Sequence, residues 1–216
     1  MLRLFRCEVD PDCAYHCDAL AGRFPEADQY DLTRGVEPAL DGVEAAVVSG
    51  STAGVYEDDE HGWIEDARTV VRGLVEREVP TLGVCFGHQL VNDALGGRVE
   101  HRGVRAGPTA VEFDDDPLFE GVPSVVPAVH GDVVVEAGAG MTPIASPVDY
   151  SYPLFATRHR EVPVWTVQFH PELTAEHRDR LVDDFGWTDG EHSFAETDGD
   201  RLFGNFRTLA GLRDQS

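Results

Sequence analysis

The sequence predicts a three-layer α/β/α fold with a mostly parallel central sheet, built as one domain over residues 1–216. Three observations point there. Short β-branched runs alternate with amphipathic stretches through the first half, the pattern of strands joined by helical crossovers. The 216 residues are 42% hydrophobic, enough for one continuous core, and neither a repeat nor a low-complexity linker divides them. Small residues directly follow two of the apolar runs, where an open α/β sheet carries its ligands.

Taken in order, Leu2 to Val9 predicts a strand, Cys13 to Phe24 a helix and Ala45 to Ser49 a buried strand. Trp63 to Glu78 predicts a helix, because Ile64, Ala67, Val71, Leu74 and Val75 recur at helical spacing with Glu65, Asp66, Arg68, Arg72, Glu76 and Arg77 between them. Thr81 to Val84 then predicts a strand and Gly87 to Leu95 a helix. The second half is punctuated by Pro and Gly. Its runs Thr109 to Phe113, Ser124 to Val126, Val133 to Glu136, Leu154 to Thr157 and Val164 to Phe169 predict mixed or antiparallel strands. Helices return at Ala175 to Phe185 and Gly199 to Leu212, and the acidic segment Trp187 to Thr197 between them predicts a surface loop.

Forty acidic residues oppose 17 basic ones, every basic residue is Arg, and the formal charge is -23. Such a charge repels itself in dilute buffer and is screened in concentrated salt, so the composition predicts a salt-adapted, haloarchaeal-like protein. The acids are interleaved with apolar runs rather than gathered in a disordered tail. The same charge disfavours nucleic acid and anionic membranes as partners. No apolar run has the length of a membrane span, and Met1 to Cys7 lacks the pattern of a signal peptide, which together predict a cytoplasmic protein whose cysteines stay reduced.

The stretch Thr81-Leu82-Gly83-Val84-Cys85-Phe86-Gly87-His88-Gln89 runs from an apolar strand into a helical pattern, with Cys85 at the junction. A nucleophile at such a turn projects above the sheet, and glycines two residues before and after it relieve the crowding. The helix start supplies free N–H groups and a positive dipole end, which favour a thiolate. A lone cysteine is more often a small buried hydrophobe; the Gly-x-Cys-x-Gly spacing argues otherwise. A thiol nucleophile needs a base, and Gln168-Phe169-His170-Pro171-Glu172 offers one. In extended backbone His170 and Glu172 share a face, so His170 can take the thiol proton while Glu172 fixes its tautomer. The loop Ser49-Gly50-Ser51 leaves backbone N–H groups at the sheet edge, where they could form an oxyanion hole with the N–H of Phe86.

Together, Gly83 to Gly97 (GVCFGHQLVNDALGG), Gln168 to Glu172 (QFHPE), Ser49-Gly50-Ser51 and His130-Gly131-Asp132 resemble the class I, triad-type glutamine amidotransferases, most closely the stand-alone branch similar to the glutaminase part of GMP synthase. The likeness runs from about Ala45 to Leu173, with the motifs in the same order. It implies a flavodoxin-like fold and no cofactor or metal. It implies that Cys85 attacks the glutamine side-chain amide, that His170 protonates the departing ammonia, and that water hydrolyses the γ-glutamyl thioester. It also places Gly50 and Phe86 in the oxyanion hole, and it assigns Gln89 with Val129, His130 and Gly131 to the amino-acid end of the substrate. Two segments depart from the family pattern: Ser49-Gly50-Ser51-Thr52 stands where Gly-Gly-Pro is common, and Asp132-Val133-Val134 differs from the usual continuation after the histidine.

Nothing outside these motifs is long enough for a synthetase domain. Three readings therefore stay open: a glutaminase subunit that serves a separate synthetase, a free-standing hydrolase of γ-glutamyl small molecules, and a silent binding domain, against which the intact Cys, His and Glu set speaks. Cys7, Cys13, His16 and Cys17 lack a paired Cys-x-x-Cys spacing, and a buried helix face is preferred to a metal cluster there. His61 and His101 show no partner pattern and are expected in solvent. The acid runs Glu57 to Glu60 and Asp114 to Asp116 are expected as hydrated loops, since neither has the ligand spacing of a calcium site.

Overall fold

The structure is a computed structural model that describes residues 1–35, 38–152 and 154–212. Nine strands among them form one mixed sheet in the order β2-β1-β3-β4-β9-β8-β7-β5-β6. The strands are β1 (Leu2–Arg6), β2 (Asp28–Asp31), β3 (Ala45–Val48), β4 (Thr81–Val84), β5 (Arg98–Phe113), β6 (Val125–Glu136), β7 (Met141–Pro147), β8 (Ala156–His159) and β9 (Val164–Val167). The helices are α1 (Tyr15–Arg23), α2 (Trp63–Glu76), α3 (Phe86–Ala94), α4 (Arg178–Phe185) and α5 (Gly199–Leu209).

Strand alternation divides the core into layers. Leu2, Leu4, Val47, Leu82, Val84, Trp165 and Val167 point to the face covered by Leu20 and Phe24 of α1 and by Leu202, Phe203 and Phe206 of α5. Phe5, Ala46, Val48 and Val164 point to the opposite face, against Ile64, Val71 and Leu74 of α2 and Leu90 and Val91 of α3. Period-two strands buried on both sides read as continuous apolar runs, which is why Ala45–Val48 is legible in the sequence. Each fully buried Leu or Phe contributes roughly 1.5–3 kcal/mol of apolar burial. The aromatic contacts Phe24–Phe203 (5.4 Å) and Phe24–Phe206 (6.2 Å) join α1 to α5.

The α/β class and three layers are as the sequence implies, but the sheet is more evenly mixed than mostly parallel. β2, β1, β3, β4 and β9 are parallel, whereas β8, β7, β5 and β6 add on antiparallel. Two strands escaped the sequence. β2 is a polar edge strand of four residues, and β7 contains Pro143 and Pro147, residues that normally argue against a strand. Thr109 to Phe113 is only the end of the longer β5, and Ser124 to Val126 fuses with Val133 to Glu136 into β6; the two strands form a long hairpin whose register shifts between His101 and Arg105. The first helix starts later than Cys13, because Asp10 caps a separate 3-10 turn at Pro11–Cys13 by accepting from the Asp12 N–H. Among the described residues no helix is long and apolar enough to cross a membrane.

For the site the decisive feature is adjacency: β3, β4 and β9 are parallel neighbours, so the segments after all three emerge together at one edge.

Candidate active site

Cys85 joins β4 to α3 with φ 52° and ψ -104°, a conformation that a residue with a Cβ adopts only under strain. The flanking glycines are required by close approach. A Cβ on Gly83 would lie 2.6 Å from the Gly87 carbonyl oxygen, and one on Gly87 would lie 2.4 Å from that of Val48. The turn is thus pressed against its own helix and against β3, which leaves the thiol at the floor of a cavity of about 270 Å³. Phe86 opens α3, where the first N–H groups of a helix have no intrahelical acceptor, and no side chain caps them.

His170 and Glu172 follow β9. His170 Nδ1–H donates to Glu172 Oε1 at 2.6 Å, and both residues are buried. Cys85 Sγ lies 3.5 Å from the Val129 carbonyl oxygen, to which His170 Nε2–H donates at 3.2 Å, so thiol and imidazole meet at one point of β6. Burial opposes a charge on His170, but Cys85 and Glu172 outweigh it and hold the imidazole pKa well above its ordinary value. The backbone N–H of His170 donates to the Pro127 carbonyl at 2.8 Å, which fixes the segment to β6.

Gly50 lies on the other side of His170. A Cβ at this position would stand 3.1 Å from His170 Cε1 and 3.2 Å from His16 Cε1, so glycine lets the loop pack close against both rings. Gln89 is buried and donates to the Asp132 carbonyl at 3.2 Å and to Gln168 Oε1 at 3.3 Å; Gln168 Nε2 in turn lies 3.7 Å from Cys85 Sγ. Val129, His130 and Gly131 line the cavity wall on β6. His130 is buried. It contacts the Asp132 carbonyl at 3.1 Å and the Tyr150 hydroxyl at 3.0 Å, and burial lowers its pKa to about 4, so it is neutral. All nine residues singled out from the sequence therefore converge on one edge of the sheet.

Several cavity residues have no role assigned from the sequence. Asp132 accepts from the Tyr56 hydroxyl at 3.0 Å and pairs with His101 Nδ1 at 2.8 Å; His101 is 61% exposed at the cavity rim, in solvent as expected, but with a partner that the sequence did not show. Glu8 reaches the cavity from the segment after β1 and His16 from α1. Gln168 opens the QFHPE motif, which by itself assigns it no role. Asp116 also departs from expectation: it is buried, accepts from the Leu118 N–H at 2.9 Å and pairs with Arg158. Cys7, Cys13, His16 and Cys17 do not surround a common point. Among the described residues the group with ligand atoms within 4.8 Å of one another is His16, His170 and Glu172, and the last two are already bonded to each other.

A profile of the family described as "Glutamine amidotransferase class-I" matches residues 26–187. The glutamine-hydrolysing GMP synthase of Thermotoga maritima is 35% identical over 165 residues, covering 75% of this chain and 29% of that protein. The chain thus spans about three tenths of the length of curated relatives of this kind. A protein of Pyrococcus abyssi, named as one of the subunits of a glutamine-hydrolysing GMP synthase, is 35% identical over 128 residues, 56% of this chain and 66% of that one. Among solved structures, a glutamine amidotransferase of Thermotoga maritima superposes with a TM-score of 0.70 at 21% identity, over 98% of this chain and 94% of that one. The chain belongs to the class I glutamine amidotransferases, a family of amide hydrolases, and within it is similar to the glutaminase part of GMP synthase.

Proposed function

We propose that this chain hydrolyses the side-chain amide of glutamine through Cys85, His170 and Glu172 and supplies the ammonia to a separate synthetase. The observation that carries the reading is the strained strand-to-helix cysteine facing a buried histidine–carboxylate pair across the Val129 carbonyl. The Cys85 thiolate attacks the amide carbon, forming a C–S bond while the carbonyl π electrons move onto oxygen. The N–H groups of Gly50 and Phe86 receive that oxyanion. The His170 imidazolium gives its proton to the amide nitrogen, the C–N bond breaks and ammonia leaves. Water then adds to the thioester, His170 takes its proton, and the C–S bond breaks to release glutamate. Glu172 holds the tautomer throughout, and Gln89 with Val129, His130 and Gly131 receives the amino-acid end.

A separate synthetase is suggested by the Pyrococcus abyssi relative, which is named as one component of a multi-chain GMP synthase and of which this chain covers 66%. We read the described residues as one domain, since both core layers share a single sheet. The -23 charge supports a salt-adapted protein, and four unpaired cysteines suit the reducing cytoplasm.

One observation favours a second reading. The cavity extends past the thiol to Tyr15, Leu173, Leu181 and Phe185, room for a leaving group larger than ammonia, as in a free-standing γ-glutamyl hydrolase. The test is ammonia release from glutamine in multimolar KCl by the wild-type chain and Cys85→Ala, beside release of amine from γ-glutamyl anilides. Glutamine turnover lost in the variant supports the glutaminase; turnover of anilides alone supports the second reading. Failure of both, with Cys85 unlabelled by a glutamine-like diazoketone, removes the enzyme.

A further inference from the structure

A second buried carboxylate–imidazole pair lies against the first. Glu8 Oε2 bonds His16 Nε2 at 2.6 Å, with side chains only 3% and 9% exposed. His16 meets His170 edge to face at 5.8 Å between ring centroids, and a Cβ on Gly50 would stand 3.2 Å from its Cε1 and 3.1 Å from that of His170, so both rings close on the loop there. The Glu8 carboxylate also holds the loop beyond Gly50: it accepts from the Thr52 N–H at 3.0 Å and from the Thr52 hydroxyl at 2.5 Å. Before Gly50 the chain is fastened by Ser49, whose hydroxyl oxygen accepts from the Cys7 N–H at 2.9 Å and from Cys17 Sγ at 3.2 Å. Segment 49–52 is therefore bound on both flanks, to the residues that follow β1 and to α1, with His16 packed against Gly50.

We propose that Glu8 and His16 are a positioning pair for the oxyanion loop: the carboxylate anchors both the ring and Thr52, and the ring fixes the Gly50 backbone against His170. The inference rests on the thiol hydrolysis proposed above. The pair acts through the loop rather than on substrate, and it substitutes for the rigid proline that the segment Ser49-Gly50-Ser51-Thr52 lacks. Charge adds to geometry. His16 faces Glu8, Cys17, His170 and Glu172; burial disfavours its cation, but the bonds to Cys17 and Glu8 raise its pKa to about 10, leaving a positive ring beside the loop at neutral pH.

The test compares His16→Gln and Glu8→Gln with wild type in multimolar KCl by three readouts: kcat and KM for glutamine, the pH profile of kcat, and the rate at which iodoacetamide alkylates Cys85. Alkylation displaces iodide from a saturated carbon and forms no oxyanion, so it reports the thiolate without the loop. The expected result is a kcat at least tenfold lower in both variants, with KM and alkylation rate within about threefold of wild type. Glu8→Gln is further expected to lose kcat as pH rises through 6–8, a fall absent from wild type, because His16 without its carboxylate titrates nearer its ordinary value. A kcat within twofold of wild type in both variants overturns the proposal, as does a parallel drop in kcat and alkylation, which would mark a general structural role. Should His16→Gln not fold, the isosteric Glu8→Gln decides alone by the same criteria. Wild type that neither hydrolyses glutamine nor reacts with the diazoketone defeats the underlying hydrolase reading instead, a result distinct from either.

Discussion

Replacing Glu172 by Gln tests whether the buried pair works as a proton-handling device. In the structure Glu172 Oε1 accepts the His170 Nδ1–H at 2.6 Å, while Oε2 is buried with no hydrogen-bond partner among the described residues. The amide keeps the volume, but one of two faults follows. With its oxygen toward His170, the NH2 group occupies the partnerless position, at a cost of about 1–3 kcal/mol for a buried unsatisfied donor. Turned the other way, the NH2 faces Nδ1 and selects the wrong tautomer, with Nε2 protonated and unable to accept a proton. Loss of a buried charge returns part of its desolvation cost, so the net effect on stability is about 1–3 kcal/mol. Turnover suffers more, because the carboxylate is one of the groups that hold the His170 proton in place; a drop of about 10²–10⁴ in kcat corresponds to roughly 3–5 kcal/mol in the barrier. The assay is glutamate formation from glutamine, measured chromatographically in multimolar KCl, beside a urea melt of the same preparations. A kcat within threefold of wild type, or a loss of activity fully accounted for by unfolding, would refute the reasoning.

Further outcomes follow from the same geometry. Because Cys85 has φ 52°, Cys85→Gly should be about 1 kcal/mol more stable than Cys85→Ala, both inactive, as read by thermal melts and ammonia release; equal or reversed stability would deny the strain. Gly50→Ala puts a Cβ 3.1 Å from His170 Cε1 and 3.2 Å from His16 Cε1, and should lower kcat at least tenfold with a melting temperature near that of wild type. Burial lowers the pKa of His88 to about 3 and of His130 to about 4, below the ordinary 6.5. Their neutral burial therefore contributes stability that is present above about pH 6.5 and lost as pH falls toward 4 and 3; melting temperature should decline over that range, less steeply in His130→Asn. With a formal charge of -23, the melting temperature should rise from 0.15 M to multimolar KCl, and a flat response would count against salt adaptation.

The sequence by itself determined the parts of the site that are local. Gly83, Cys85 and Gly87 sit within one turn of chain, and a Cβ on Gly83 would stand 2.6 Å from the Gly87 carbonyl oxygen, so the spacing alone revealed the elbow, although the need for glycine at Gly87 comes from Val48 of β3. His170 and Glu172 are two residues apart, and extended geometry alone puts them on one face. The strands β3 and β4, buried on both sides, announced themselves as unbroken apolar runs. What the tertiary structure decided was adjacency between distant segments. Glu8 reaches His16 and Thr52 only because β1 lies beside β3, and Asp132 gathers Tyr56 and His101 only because the β5–β6 hairpin folds over the carboxyl edge. The polar edge strand β2 and the proline-bearing β7 carry little hydrophobic signal of their own, since backbone pairing, with β1 for β2 and with β5 and β8 for β7, defines them. Local spacing encodes conformations that short-range sterics enforce; contacts between residues 40 or more positions apart depend on the packing of the whole sheet, and no window of sequence contains them.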